Sequence, residues 1–147
     1  MATRSRIAIE TTDTSGNKVI KSIYCHFDGY PSGVGKTLME NYQAREKVEA
    51  LISLGDISFI KEEVTPSGSH SFNSPQERVT VAYHRDRGEK FNPPRVNASV
   101  SEFFLSDIEE YGYLFTEEGE WLFQSWARSK DPMPLELHFS SQVNPLQ

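Results

Sequence analysis

A single stretch of this 147-residue sequence has the hydrophobic period of a helix, and that stretch limits the folds open to the chain. Between Thr37 and Leu54 the apolar side chains recur every three or four residues, which predicts one amphipathic helix. Gly55 follows as a stop signal. The other regular segments alternate apolar and polar residues, which is typical of half-buried β-strands. The pattern predicts an α+β fold: an antiparallel sheet built from hairpins, with one long amphipathic helix packed on one face.

Two hairpins account for most of the expected sheet. Arg6–Glu10 and Val19–Tyr24 alternate on either side of the turn DTSGN. Residues 111–126, YGYLFTEEGEWLFQSW, form a second, aromatic hairpin about the turn Glu117–Gly119. These segments predict two pairs of antiparallel neighbours.

The remaining segments are shorter or irregular. Short strands are expected at 56–60 (DISFI) and at Val79–Tyr83, and an edge strand within PMPLELHF near the C-terminus. Residues 61–78 hold two prolines and four serines and are expected to be an exposed, mobile loop, whereas 140–147 should be a loose tail. At this length we expect one domain, residues 1–147.

Composition limits the class of protein. The formal net charge of −6 argues against general DNA or RNA binding, which needs many basic groups to neutralise phosphates. One cysteine, Cys25, excludes an internal disulfide, and no apolar run approaches the ~20 residues of a membrane span. No secretory signal begins the sequence, so we expect a cytoplasmic protein that does not bind membranes.

The glycine-rich stretch HFDGYPSGVGKT, residues 26–37, is similar to a nucleotide-phosphate loop at first sight. A Walker loop needs glycine five residues before Gly35, where this sequence has Tyr30, and it needs repeated βαβ units that are not predicted here. The pattern therefore excludes a P-loop NTPase. Two interpretations stay open: a sharp strand-to-helix turn capped by Ser32 or Thr37, or an anion site made by the helix N-terminus and Lys36.

A family resemblance rests on the same stretch. IYCHFDGYPSGVGKTLMENY, followed by KVEALISLGDIS, VAYHRDRGE and the aromatic hairpin, resembles a family of small accessory proteins encoded by bacteriophages and prophages. The resemblance covers about residues 6–126 and implies a protein that acts in the host cytoplasm. Such proteins often weaken host immunity by binding a host protein or by trapping a nucleotide signal. The resemblance implies no particular chemistry.

A basic run could complete an anion site. HRDRGEKFNPPR, residues 84–95, carries Arg85 and Arg87 in an otherwise acidic chain. A charge run is usually a solvated loop, but arginine is suited to bidentate contact with phosphate. If this run faces residues 28–37, the two segments form one electropositive pocket.

Two His-x-Asp tripeptides, beginning at His26 and His84, suggest a second chemistry. On a strand, residues i and i+2 share a face, so each tripeptide would present an imidazole and a carboxylate together. Four such groups around one pocket could bind a metal or perform acid–base hydrolysis. The alternative is that these side chains tie down loops by hydrogen bonds. Cys25 is expected to be a buried small hydrophobe.

The leading hypothesis is a phage anti-defence protein that binds and sequesters a small phosphorylated, nucleotide-derived ligand without turning it over. The alternatives are a protein–protein inhibitor of a host protein and a hydrolase using the His-x-Asp pairs. No cofactor and no metal are expected, and half of the hairpin aromatics could form a homo-oligomer interface. The residues expected to hold the ligand are Asp28, Gly29, Tyr30, Gly33, Gly35, Lys36, Thr37, His84, Arg85 and Arg87.

Overall fold

The computed structural model of the chain describes residues 2–126 and 131–143, and they form an eight-stranded sheet with helices on both faces. The strands are β1 (Ser5–Thr12), β2 (Lys18–Cys25), β3 (Ile57–Phe59), β4 (Val81–Ala82), β5 (Arg95–Asn97), β6 (Tyr111–Phe115), β7 (Trp121–Ser125) and β8 (Met133–Pro134). The helices are a π-helical turn (Pro31–Gly35), α1 (Lys36–Asn41), α2 (Arg45–Ser53), α3 (Tyr83–Arg87), α4 (Val100–Leu105) and α5 (Leu135–Val143).

The sheet is mixed, so the prediction of an antiparallel sheet is wrong. Its order is β4-β3-β2-β1-β6-β7-β8, with β5 paired to β2. Both predicted hairpins are confirmed as antiparallel pairs, β1–β2 and β6–β7. The hairpins join through β1 and β6, which run parallel, and β3 is parallel to β2. Hairpin patterns fix neighbours within a hairpin but say nothing of how two hairpins join.

The long helix predicted over Thr37–Leu54 is also wrong, because it is broken at Tyr42. The Tyr42 carbonyl accepts a hydrogen bond from the indole Nε1 of Trp121 (2.9 Å) instead of from the backbone four residues on. Its hydroxyl donates to the Lys61 carbonyl (2.7 Å), which fixes the side chain in the core. α2 then starts afresh at Arg45, and both helices are too short to be stable without the sheet beneath them.

Each face of the sheet carries its own core. On the first face, side chains such as Ile7, Ile23 and Tyr113 pack beneath α1 and α2. On the second face, α4 contributes Phe103 and Phe104, which pack on the even-numbered residues Ala8, Ile20 and Leu114. The prediction of a helix on one face therefore misses the second layer.

The segment 61–78 is anchored at its centre, although most of it is exposed. The His70 side chain is only 2% exposed, and its Nε2 lies 3.1 Å from the Asp86 carboxylate. Asp86 belongs to α3, a helix in a stretch predicted to be the end of a strand and a charged loop. The strand predicted over Val79–Tyr83 is reduced to β4, because Tyr83 already begins α3.

The last described segments also differ in part from the expectation. β5 lies in a Pro- and Asn-rich stretch, residues 91–101, and α4 includes the whole segment SEFFL. The edge strand expected near the C-terminus is β8, and α5 follows it through Val143. Of the expected loose tail at 140–147, residues 140–143 belong to α5 and residues 144–147 lie outside the described residues. Within the described ranges, no helix is long and apolar enough to span a membrane.

Candidate functional site

A groove of about 320 Å³ lies between the glycine-rich loop and the chain leaving β3, and we call it the loop groove. It contains four of the residues expected to hold a ligand: Asp28, Gly33, Lys36 and Thr37. The rest of its lining is Phe27, Ser32, Val34, Glu40, Asn41, Phe59, Ile60, Lys61 and Glu62. Because β2 and β3 run parallel, the chain leaves both strands at the same end of the sheet, which brings residues 27–28 and 59–62 together.

The glycine-rich loop is held by its own backbone hydrogen bonds. Asp28 takes a positive φ of 59°, and its carbonyl accepts from the N–H of Val34 at 2.8 Å. The Gly33 N–H donates to the Tyr30 carbonyl at 2.9 Å. A Cβ on Gly33 would lie 2.3 Å from the Asp28 carbonyl oxygen, so no other residue fits this turn without a backbone shift. Two of the first N–H groups of the helical segment are therefore already used within the loop.

The other two glycines pack the loop against the sheet. Gly29 donates its N–H to the Thr3 carbonyl at 2.8 Å and accepts from the Tyr113 hydroxyl at 2.7 Å. A Cβ on Gly35 would lie 3.3 Å from the Tyr113 ring. The glycines thus serve a close strand-to-helix turn. The expected caps are absent: Tyr30 precedes the helical segment without a side-chain cap, and the Thr37 hydroxyl donates to the Gly33 carbonyl.

The loop groove has charges of both signs and one aromatic wall. Lys36 and Lys61 line it, and neither forms an ion pair with any described residue. Their charges are offset by three carboxylates, those of Asp28, Glu40 and Glu62. The Tyr30 hydroxyl donates to Asp28 at 3.1 Å, and this hydrogen bond together with the negative charge raises the pKa of Tyr30.

The aromatic wall is built from the two strands that end at the groove. The rings of Phe27 and Phe59 stack with their centroids 4.5 Å apart and their planes at 16°. The Lys61 ammonium lies 5.2 Å from the centre of the Phe59 ring. An apolar wall beside a few polar groups is the usual composition of a small-molecule site, and the volume is at the low end of the ~300–1,000 Å³ typical of such sites.

The basic run does not contribute to the loop groove. Arg85 donates to the carbonyls of Val64 (2.6 Å) and Thr80 (2.7 Å) and to the Asp86 carboxylate (2.8 Å), so its guanidinium is committed to the fold. Arg87 pairs with Glu89 at 3.3 Å. The third member of the run, His84, bonds the carbonyl of Glu89 at 2.7 Å. All three side chains bond to groups of their own surroundings, as expected for residues that stabilise loops. The predicted pocket shared by residues 28–37 and the basic run is therefore not formed.

The two His-x-Asp pairs do not assemble either. His26 Nδ1 bonds the Tyr24 hydroxyl at 2.7 Å, and His84 and Asp86 lie on a helix, where residues i and i+2 face different directions. Burial raises the pKa of Asp86, but hydrogen bonds from Arg85, from the Ala82 N–H and from a histidine outweigh it, so the pKa is lowered. Over residues 2–126 and 131–143, no group of three or more His, Cys, Asp or Glu side chains could hold a metal ion.

Cys25 is not a candidate nucleophile. Its side chain is fully buried, and burial raises the pKa of the thiol to about 12, so the thiolate needed for attack is not formed near neutral pH. This agrees with the expectation of a small buried hydrophobe.

Sequence reasoning missed the half of the loop groove that comes from β3. Phe59, Lys61 and Glu62 follow the short segment DISFI, whose pairing with β2 is not readable from its pattern. Their position after a strand could have identified them. The residues that follow two parallel neighbouring strands lie at the same end of the sheet, where ligand sites are common.

No family model matches the chain, and neither the curated proteins nor the solved structures include a significant match to it.

Proposed function

We propose that this protein binds a small phosphorylated, nucleotide-derived ligand in the loop groove and sequesters it without turnover. By the family resemblance, it would do so as a phage accessory protein acting against host defence. The observation that carries the proposal is that Lys36 and Lys61 line one groove and neither is paired with a carboxylate among the described residues. Because neither ammonium group is in an ion pair, a phosphate can contact both without displacing a carboxylate, and the acidic lining of Asp28, Glu40 and Glu62 limits its affinity.

The aromatic wall supplies the second half of the recognition. The stacked rings of Phe27 and Phe59 give a planar base an apolar surface, and stacking of a base on an aromatic ring contributes ~1–3 kcal/mol. The absence of turnover is supported by the separated His-x-Asp pairs, the buried thiol and the lack of a metal-ligating cluster among the described residues. We propose binding rather than catalysis for these reasons.

A nucleotide panel scored by thermal denaturation tests the proposal, because a ligand that binds the native state raises the melting temperature by mass action. We expect at least one mono- or cyclic nucleotide to raise the melting temperature of the wild type. The shift should be lost in Lys36→Ala and in Lys61→Ala. Lys90→Ala is the matched control, since Lys90 is exposed and does not line the groove.

A charge variant of the opposite sign makes the test sharper. Glu40 lines the groove and is exposed, so Glu40→Gln removes a repulsive charge and should strengthen binding of a phosphorylated ligand severalfold. Chromatography of the incubated nucleotide should return it unchanged. A panel without any shift in the wild type, or shifts equal in Lys36→Ala and Lys90→Ala, would refute the proposal.

A second candidate function is inhibition of a host protein by surface contact. The observation in its favour is the strong exposure of two large apolar side chains, Leu105 at 85% and Trp126 at 65%, on a chain of net charge −6. Tryptophan is enriched among the residues that contribute most to protein interfaces. Purification from host lysate with wild type and with Trp126→Ala tests it: a stoichiometric partner lost in the variant would favour this function.

A further inference from the structure

We propose a second anion site on the opposite face of the sheet, at the end of β1 and β2 that α4 does not cover, where Arg4, Arg6, Arg95, Tyr24 and His26 form one connected cluster. The class of ligand that fits it is a phosphate-type oxyanion. This arginine cluster shares no residue with the loop groove, so anion binding here can be tested independently of the proposed function.

The strand registers bring the cluster together. Arg6 pairs with Tyr24 across β1 and β2, and Arg95 pairs with Ser22 across β5 and β2. Arg6 donates from Nε and Nη2 to the hydroxyl (3.1 Å) and the carbonyl (3.0 Å) of Ser22. The Arg6 guanidinium therefore lies over Ser22, the strand partner of Arg95, on the face of the sheet that carries the even-numbered residues of β1 and β2.

Each of these two arginines has donor capacity left over. Arg95 donates from Nη1 to the Asp107 carbonyl at 3.0 Å and from Nη2 to the Ser106 hydroxyl at 2.8 Å, while its Nε is buried without a hydrogen-bond partner. The Nη1 of Arg6 has no partner among the described residues. All of the acceptors that the two guanidinium groups do contact are neutral.

The two guanidinium groups also repel each other. Burial and the charge of Arg95 lower the pKa of Arg6, and the carboxylates of Asp56, Glu109 and Asp107 oppose this to a smaller extent. No carboxylate of the described residues lies within 4 Å of either guanidinium. Placing two like charges together without a counter-ion is costly, and a bound anion would relieve that cost.

Two of the three nearby carboxylates accept hydrogen bonds from groups other than the two guanidiniums. Both oxygens of Asp56 accept hydrogen bonds, from the Tyr24 N–H (3.0 Å) and from the Asn92 amide (2.8 Å). Asp107 accepts from the backbone N–H of Glu109 at 3.0 Å. These acids moderate the local potential without occupying the donors of the arginines.

Tyr24 and His26 extend the cluster toward solvent. The Tyr24 hydroxyl lies 2.7 Å from His26 Nδ1, and burial raises the pKa of Tyr24 while the charge of Arg4 opposes this. Arg4 is exposed at the rim. A tetrahedral oxyanion accepts several hydrogen bonds at once, and guanidinium groups suit it because of their bidentate geometry. A carboxylate would fill fewer of these donors.

Titration with inorganic phosphate at constant ionic strength, followed by backbone amide NMR shifts, tests the inference. We expect saturable shifts at the amides of Arg6, Tyr24 and His26, with affinity at least tenfold weaker in Arg4→Gln and in Arg95→Gln. Arg78→Gln is the matched control, because Arg78 is exposed and pairs with Glu62 elsewhere.

Two variants keep the result interpretable. Arg95→Gln removes contacts to the end of α4 and could loosen the fold, whereas the Arg4 side chain is exposed, so Arg4→Gln removes the charge with little effect on packing. The double variant Lys36→Ala, Lys61→Ala should keep the phosphate shifts even if it loses nucleotide binding. The inference is overturned if the shifts do not saturate, if Arg4→Gln binds as well as Arg78→Gln, or if the shifts disappear with the two lysines.

Discussion

Replacing Gly33 with alanine tests whether the glycine-rich loop is a structural turn or a phosphate cradle. The added Cβ would lie 2.3 Å from the Asp28 carbonyl oxygen, where 3.4 Å is an ordinary contact, so the backbone must move by roughly 1 Å. Such a shift breaks the Val34 N–H to Asp28 and Gly33 N–H to Tyr30 hydrogen bonds. At about 0.5–1.5 kcal/mol each, their loss lowers the free energy of unfolding by about 1–3 kcal/mol.

Gly68→Ala is the matched control, since its Cβ would meet nothing closer than 3.5 Å, at the Gln76 side chain. Here alanine mainly restricts the unfolded chain, so stability should stay equal or rise by up to ~1 kcal/mol. Reversible urea unfolding measures both variants. For a chain of this size the Gly33 variant should melt roughly 3–10 °C lower.

The result that would refute the structural interpretation is a Gly33→Ala protein as stable as the Gly68→Ala protein. If that stable variant had also lost nucleotide binding, Gly33 would be present for the ligand, and the interpretation as a phosphate cradle would return.

Three further predictions concern buried groups. Tyr113→Phe should lower the free energy of unfolding by about 1–2 kcal/mol in urea, because its hydroxyl donates to a loop carbonyl at 2.7 Å; Tyr111→Phe, on the same strand and without such a bond, should change it little. Asp86→Asn should cost about 2–3 kcal/mol at neutral pH through its bonds with Arg85. Since the folded pKa of Asp86 is lowered, its contribution is present above the unfolded value of 3.8 and is lost as pH falls through the lower folded value. Acid unfolding of the wild type should thus be steeper below about pH 4 than that of Asp86→Asn, and equal slopes would contradict this. Cys25 should resist thiol reagents in the native protein at pH 8 and react in denaturant, as its pKa is raised to about 12; rapid native labelling would show that the thiol is accessible.

The local part of the fold could be predicted from the sequence. Alternation fixed the two hairpins, because each strand has one face in a core and the turn residues lie between them. Gly55, at φ 76°, ends α2 as its position predicts. Hairpins and helix ends depend on residues close together in the sequence, so local sequence patterns are enough to predict them.

Long-range contacts decided what the sequence could not predict. The break at Tyr42 depends on Trp121, 79 residues away, which takes the carbonyl that a continuous helix would use. The hydrogen bonds from Arg85 to the carbonyls of Val64 and Thr80 could not be predicted either. Within the run HRDRGEK, a buried arginine and a solvated arginine have the same sequence pattern. For the same reason only the 28–37 half of the loop groove could be predicted.

The parallel pairing of β1 with β6 has a consequence for biosynthesis. One side of β1, residues 5–9, can form its backbone hydrogen bonds only after residues 111–115 have been synthesised. By then about three quarters of the polypeptide has left the ribosome. Until then the N-terminal hairpin exposes an unpaired strand, which is a template for misassembly between nascent chains. Contacts of such wide sequence separation also slow folding. A message truncated before codon 111 should therefore yield insoluble product.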